Sequence, residues 1–338
     1  MVIDIFNHVP PPAYLERLKA VSDERGDKTY RRQLPIKPLY DLEARLRVLA
    51  EFGDDYRQII CLGSPPIEAV AGRELSPELS RLANDGMAEF CRQSRGRFPS
   101  FAASLPMDNP PAAIREIERA VGQLGAKAIQ IFSNVAGKAL DAPEFFPIFE
   151  RMAALDLPIM MHPARGPSFA DYRSESRSKY GMWWSLGWPY ETSIAMARLC
   201  LAGIFERLPL LKIVTHHMGG MIPYFEGRIG PELGHFEARE ADPDYAAVPK
   251  SIARNPLEHL RKFYADTALF GAAAATRCGL EFFGVDHCLF ATDCPFDSVG
   301  GSDFIRRTLQ VVNGLGLKPT DREKLLCGNA KRLFRLDL

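Results

Sequence analysis

Short apolar runs alternate with longer amphipathic stretches from one end of the chain to the other. Eight runs have the length and content of strands, at residues 2–6, 58–62, 100–105, 128–132, 158–162, 211–215, 263–266 and 288–291. Most are continuously apolar, as strands are when both faces of a parallel sheet are covered. Helical periodicity falls between them at residues 42–52, 76–94, 110–124, 142–155, 191–205 and 256–262, and a closing helix is expected over 321–334. Ser76 and Pro77 read as the N-cap and first position of the second of these. Strand and helix alternating in this way predict an α/β fold of the (β/α)₈ TIM-barrel type, one domain spanning residues 1–338.

Two stretches break the rhythm and are expected to be long insertions after strands one and five. Residues 7–40 hold Pro10-Pro11-Pro12 and a basic, Pro-punctuated segment. Residues 163–190 hold Gly166-Pro167 and a dense aromatic group, Tyr180, Trp183, Trp184, Trp188 and Tyr190. Barrel sites are built from the loops that follow the strands, so both stretches are expected to cover a substrate.

Composition removes several classes of function. Lys+Arg and Asp+Glu are equal at 42 each, so no overall field draws the chain to nucleic acid or to an acidic membrane surface. No basic cluster stands out. The seven cysteines are odd in number, scattered and without a CxxC pair, which predicts reduced thiols in the cytoplasm. The first residues, MVIDIFNHVPPP, lack a secretory signal pattern, and no apolar run approaches the ~20 residues a membrane span needs.

The candidate chemistry sits at strand ends. Of seven histidines, His8 follows the first strand, His162 ends the fifth, and His216 and His217 follow the sixth. The last strand runs into Thr292-Asp293-Cys294-Pro295. In a closed barrel these ends meet at one mouth, and neutral imidazole with carboxylate is a natural ligand set for a divalent ion. Taken singly, each residue has a plainer reading: a hydrogen-bonded structural histidine, or an aspartate starting a turn. Their coincidence at separate strand ends favours a site.

Several motifs in this order resemble the amidohydrolase-2 family, which includes aminocarboxymuconate-semialdehyde decarboxylase and the resorcylate, carboxyvanillate and isoorotate decarboxylases. They are Ile3-Asp4-Ile5-Phe6-Asn7-His8, which is similar to the family's IDxHxH opening, Pro158 to Pro163, Pro189-Tyr190-Glu191-Thr192 and Ala202 to Arg207. Lys212-Ile213, His217-Met218-Gly219-Gly220, Gly227-Arg228-Ile229, Thr292 to Phe296 and Gly328-Asn329-Ala330 complete the set. The resemblance covers nearly the whole chain. It implies that His8, His162 and Asp293 hold a divalent metal, zinc or manganese. It implies that His217 and Asp293 act as acid or base, and that Arg228 reaches a neighbouring subunit's site to grip a substrate carboxylate. The plainer reading of Arg228 is a helix-surface ion pair. Tyr180 falls at a substrate-facing aromatic position. Trp183 and Trp184 read as a lid or as part of a dimer interface. Arg32 and Arg165 read as further anchors for an acid or as surface charges.

One position departs from the family pattern. Where the opening motif offers two ligands, HxH or ExH, this chain reads Phe6-Asn7-His8, and phenylalanine binds no metal. Either the three remaining ligands suffice, or Asp4 or Asn7 substitutes, or the chain works without metal. The leading expectation is a metal-dependent, non-oxidative decarboxylase of a small unsaturated or aromatic carboxylic acid, acting as a homodimer. The same residues suit a hydrolase of a lactone or amide, and the loss at Phe6 leaves room for a non-catalytic binding barrel.

Overall fold

The computed structural model describes residues 1–24, 29–234 and 248–338, so residues 25–28 of the first long connection lie outside the description. Eight parallel strands form one sheet in chain order: β1 (Val2–His8), β2 (Tyr56–Cys61), β3 (Ser100–Ser104), β4 (Ala128–Phe132), β5 (Ile159–His162), β6 (Ile213–Thr215), β7 (Tyr264–Asp266) and β8 (Cys288–Leu289). The sheet closes where the Ile5 N–H donates to the Phe290 carbonyl at 3.0 Å and the His8 N–H to that of Cys294 at 2.9 Å. The fold is a (β/α)₈ barrel, and every expected strand is present within two residues at each end.

Side-chain alternation divides the apolar residues between two cores. Ile3, Ile5, Phe6, Ile59, Ala102, Ala128, Met160, Val214 and Leu289 pack inside the barrel, where small alanines face larger neighbours. Ile129, Ile131, Ile159, Met161 and Ile213 face the surrounding helices instead. Leu333 and Phe334 join the interior set from the closing helical segment.

The second predicted helix begins earlier than its sequence suggests. Ile67–Gln93 is helical except at Gly72, whose φ of 69° breaks it into two segments. Ser76 is therefore not an N-cap; its hydroxyl donates to Asp108 Oδ1 at 2.5 Å. Pro77 is likewise not at a first helical position, but inside the second segment, five residues after the break.

Strand β1 carries an irregularity between Asp4 and Asn7 in its pairing with β2. Its end is pinned by Arg45, almost wholly buried, whose guanidinium donates to the carbonyls of Pro38 (2.8 Å) and His8 (2.6 Å) and to Gln58 Oε1 (2.8 Å). Such a planar fork, with three acceptors fixed around it, sets where His8 leaves the strand. The long connection after β5 has no regular element until a single helical turn at Met182–Ser185, followed by the helix Gly187–Leu201.

Candidate metal and catalytic site

Four histidines and one aspartate, from the ends of four strands far apart in sequence (β1, β5, β6 and β8), meet at the barrel mouth. His8, His162 and His216 present ring nitrogens within 4.8 Å of one another, as do His216, His217 and the Asp293 carboxylate. All five are buried.

The hydrogen bonds fix how each ring is turned. His8 Nδ1 lies 2.9 Å from the Leu62 carbonyl, His162 Nδ1 2.7 Å from that of Pro163, and His217 Nδ1 2.8 Å from that of Ala268. A carbonyl oxygen only accepts, so each Nδ1 carries the proton and each Nε2 is the nitrogen left for other work. His216 Nδ1 is 2.6 Å from Asp266 Oδ2. Asp266 is itself held, with Oδ1 accepting from the backbone N–H of His217 (3.1 Å) and Ala268 (2.9 Å). Histidines whose Nδ1–H is spoken for by carboxylate or carbonyl are the arrangement in which imidazole serves as a metal ligand through Nε2.

The close contacts at the centre of the cluster test whether it fits a cation. His8 Nε2 lies 2.9 Å from Asp293 Oδ1 and His216 Nε2 lies 3.6 Å from the same oxygen. Yet His8 Nε2, His216 Nε2 and Asp293 Oδ1 are buried atoms that make no hydrogen bond. A neutral imidazole nitrogen and a carboxylate oxygen repel at such distances unless a proton or a cation lies between them, and this donor set of imidazole and carboxylate fits a divalent ion. His8, His162, His216 and Asp293 are the residues that could hold one.

Burial and close charges shift Asp293, His162, His216 and His217. Burial alone would raise the Asp293 pKa, but His216 and His8 beside it outweigh that and hold it well below the usual carboxylate range. Burial, then the neighbouring His216 and His8, push His162 far down. Burial and His216 lower His217 to about 4, which keeps it neutral. His216 goes the other way: burial pulls it down, but the Asp266 charge and hydrogen bond, with Asp293, lift it to about 9.

Backbone geometry serves these positions. His217 and Asp293 have φ of 54° and 63°, in the left-handed region that costs a side-chain-bearing residue roughly 1 kcal/mol. Asp4, weighed as a stand-in ligand, is engaged elsewhere. Its carboxylate accepts from the Tyr56 hydroxyl at 2.6 Å, the Thr292 N–H at 3.0 Å and the Thr292 hydroxyl at 2.5 Å, which ties β1 to the turn carrying Asp293. Asn7 turns its amide to the Asp4 and Ile59 carbonyls. Neither residue replaces the ligand missing at Phe6.

The other expected site residues are more dispersed. Arg165 pairs with Glu191 at 2.8 Å and lies over the Phe169 ring. Arg228 is exposed on the helix Glu226–Gly234. Tyr180 is 93% exposed and Trp184 47%. The aromatic packed on the cluster is Trp188, whose ring centroid lies 5.3 Å from that of His162 and 5.7 Å from Trp183; Arg32 sits over Trp183. Phe132, Phe296 and Phe270 also border the histidines. Of two further residues central to the geometry, His216 was named from the sequence among the strand-end histidines but not assigned to the ion, and Asp266 was not singled out. A carboxylate closing β7, as Asp293 follows β8, was the available signal for Asp266.

Comparison with known proteins agrees with this geometry. Residues 36–336 match the amidohydrolase model Amidohydro_2. A gamma-resorcylate decarboxylase from a Polaromonas species is 32% identical over 308 residues, 87% of each chain. A 2-amino-3-carboxymuconate-6-semialdehyde decarboxylase from Dictyostelium discoideum is 34% identical over 264 residues, covering 77% of this chain and 67% of that one. The structure of a dihydroxybenzoic acid decarboxylase from Polaromonas, with bound manganese and the inhibitor 2-nitroresorcinol, superposes with a TM-score of 0.78 at 27% identity, over 100% of this chain and 97% of that one. The chain belongs to the amidohydrolase family.

Proposed function

We propose that this protein is a metal-dependent, non-oxidative decarboxylase of a small unsaturated or aromatic carboxylic acid. One observation carries the reading: imidazoles locked through Nδ1 gather at the barrel mouth with the Asp293 carboxylate, a donor set suited to a divalent ion, in a chain similar to decarboxylases of such acids. His8, His162 and Asp293 would hold the ion, manganese or zinc; manganese occupies the similar Polaromonas enzyme. When bound, the ion supplies Lewis-acid charge that polarises the substrate's carboxylate and an adjacent oxygen.

The chain's own residues manage the proton. His217 is neutral, with Nδ1–H fixed on Ala268, so Nε2 accepts a proton from solvent or from an acidic substrate group. The resulting imidazolium, a strong acid at this buried position, delivers that proton to the carbon that bears the carboxylate. A C–H bond forms, the C–C bond to the carboxylate breaks, its electron pair returns to the unsaturated system, and carbon dioxide leaves. One proton is consumed per turnover. Asp293 would be the second group to exchange a proton with the substrate.

Trp188 and Trp183 supply an apolar wall for a flat substrate, and Arg165, braced by Glu191, a cation beside it. In this reading the enzyme is a cytoplasmic homodimer. Exposed Arg228 serves the neighbouring protomer's mouth, and the outward Tyr180 and Trp184 cover the site or meet the partner. Free thiols at all seven cysteines suit a reducing compartment.

The test is gas release from a panel of hydroxybenzoates and muconate-type acids by manganese-loaded protein, beside a lactone panel followed by base uptake. The reading expects carbon dioxide from the acids, lost in His217→Gln. Lactone turnover without carbon dioxide from any acid would replace it with hydrolysis.

A further inference from the structure

We propose that His216 is itself a metal ligand and that it takes over the coordination which Phe6 cannot provide, so that Phe6 and His216 form one exchanged pair. The inference rests on the metal-dependent reading above.

Phe6 is fully buried in the interior core, and its ring stands beside three of the imidazoles, with centroids 6.1 Å from His8, 6.3 Å from His162 and 3.9 Å from His216. Strand β1 thus turns two side chains to the cluster, and only His8 carries a donor. His216 lies almost flat on Phe6, at 21° between planes, so the apolar ring fixes the face of the imidazole. Its edge is fixed separately by Asp266 through Nδ1. Asp266 cannot swing away, because two backbone N–H groups hold its other oxygen. A ring constrained in face and in edge has one direction left for Nε2, toward His8, His162 and Asp293.

That nitrogen is wholly buried and makes no hydrogen bond. A histidine kept only for packing would not leave a polar atom so placed, since an unsatisfied buried group costs on the order of 1–3 kcal/mol. A pair of carboxylates holding an imidazolium is the competing explanation, and it requires no metal at all.

Metal content separates the possibilities without reference to activity. Wild type, His216→Gln and the double variant Phe6→His/His216→Gln are loaded with Mn²⁺, and free Mn²⁺ is titrated by electron paramagnetic resonance with circular dichroism as the folding check. Wild type is expected to bind one ion per chain, His216→Gln at least tenfold more weakly, and the double variant to regain part of the loss. Absorption fine structure on loaded wild type gives an answer even where a variant misfolds: three imidazoles are expected around the ion. Two imidazoles, or undiminished binding by folded His216→Gln, would overturn the exchange while leaving the metal-dependent reading intact. Wild type that binds no Mn²⁺ or Zn²⁺ would overturn both.

Discussion

Replacing Glu68 by glutamine should stabilise the protein in alkali and leave it unchanged in acid. Glu68 opens the helix Ile67–Gln93, is 4% exposed, and has an Oε1 atom with no hydrogen-bond partner. It lines a small cavity with Ser104, Gln130 and Phe132, the last of which packs on His162. Burial is the main cause that lifts its pKa from 4.5 to about 8, with the Asp108 charge adding to it. The folded chain therefore holds a proton that the unfolded chain releases near pH 4.5. Where the native state binds more protons, stability falls as pH rises, here from about pH 4.5 to about pH 8. At 1.36 kcal/mol per unit the full interval is worth about 5 kcal/mol, an upper bound because buried sites relax around a charge. For 338 residues the unfolding entropy is roughly 0.7 kcal/mol per kelvin, so half of that bound shifts Tm by roughly 3–4 °C. Glutamine keeps the shape and never ionises. Differential scanning at pH 5, 7 and 9 should show Glu68→Gln and wild type melting together at pH 5 and the variant higher by several degrees at pH 9. A gap between them that does not change from pH 5 to pH 9 would refute the reasoning.

Further outcomes follow from the site. Asp266→Asn removes the acceptor that orients His216 and should weaken Mn²⁺ binding roughly 10- to 100-fold in a chelator competition; unchanged affinity would mean the His216 ring needs no such brace. His217→Gln should lower kcat by about 100-fold or more while metal content stays at the wild-type level, because His217 is assigned the proton and not the ion. Trp188→Ala should raise KM more than it lowers kcat, since the ring packs on His162 as an apolar wall. Tyr56→Phe takes a donor from the buried Asp4 carboxyl and should cost about 1–3 kcal/mol in urea unfolding at neutral pH.

The barrel was legible because its strands are short apolar runs whose burial on both faces leaves little room for polar exceptions. All eight lie where the apolar runs place them. His8, His162, His217 and Asp293 were legible as strand-end residues of ligand chemistry, and they do converge. His216 was harder. Strand alternation sends neighbours to opposite sides, so consecutive histidines are not expected in one cluster. Left-handed φ at His217 and Met218 turns the chain immediately after β6 and stacks the two rings 3.7 Å apart. Sequence does not show that turn. The aromatic connection after β5 was illegible for a related reason: with no regular element until residue 182, spacing does not tell which ring faces inward. Trp188 does, from the helix Gly187–Leu201, whereas Tyr180 and Trp184 lie outward.

The most direct test of the central claim is isotopic. Manganese-loaded protein is given a hydroxybenzoate labelled with ¹³C in its carboxyl group, in D₂O, and both products are followed by nuclear magnetic resonance. The account predicts one labelled carbon dioxide for each phenol formed, with a single deuterium on the carbon that lost the carboxylate and no turnover by His217→Gln. Product that keeps its labelled carboxylate, while a lactone or amide is cleaved at the same site, would contradict it.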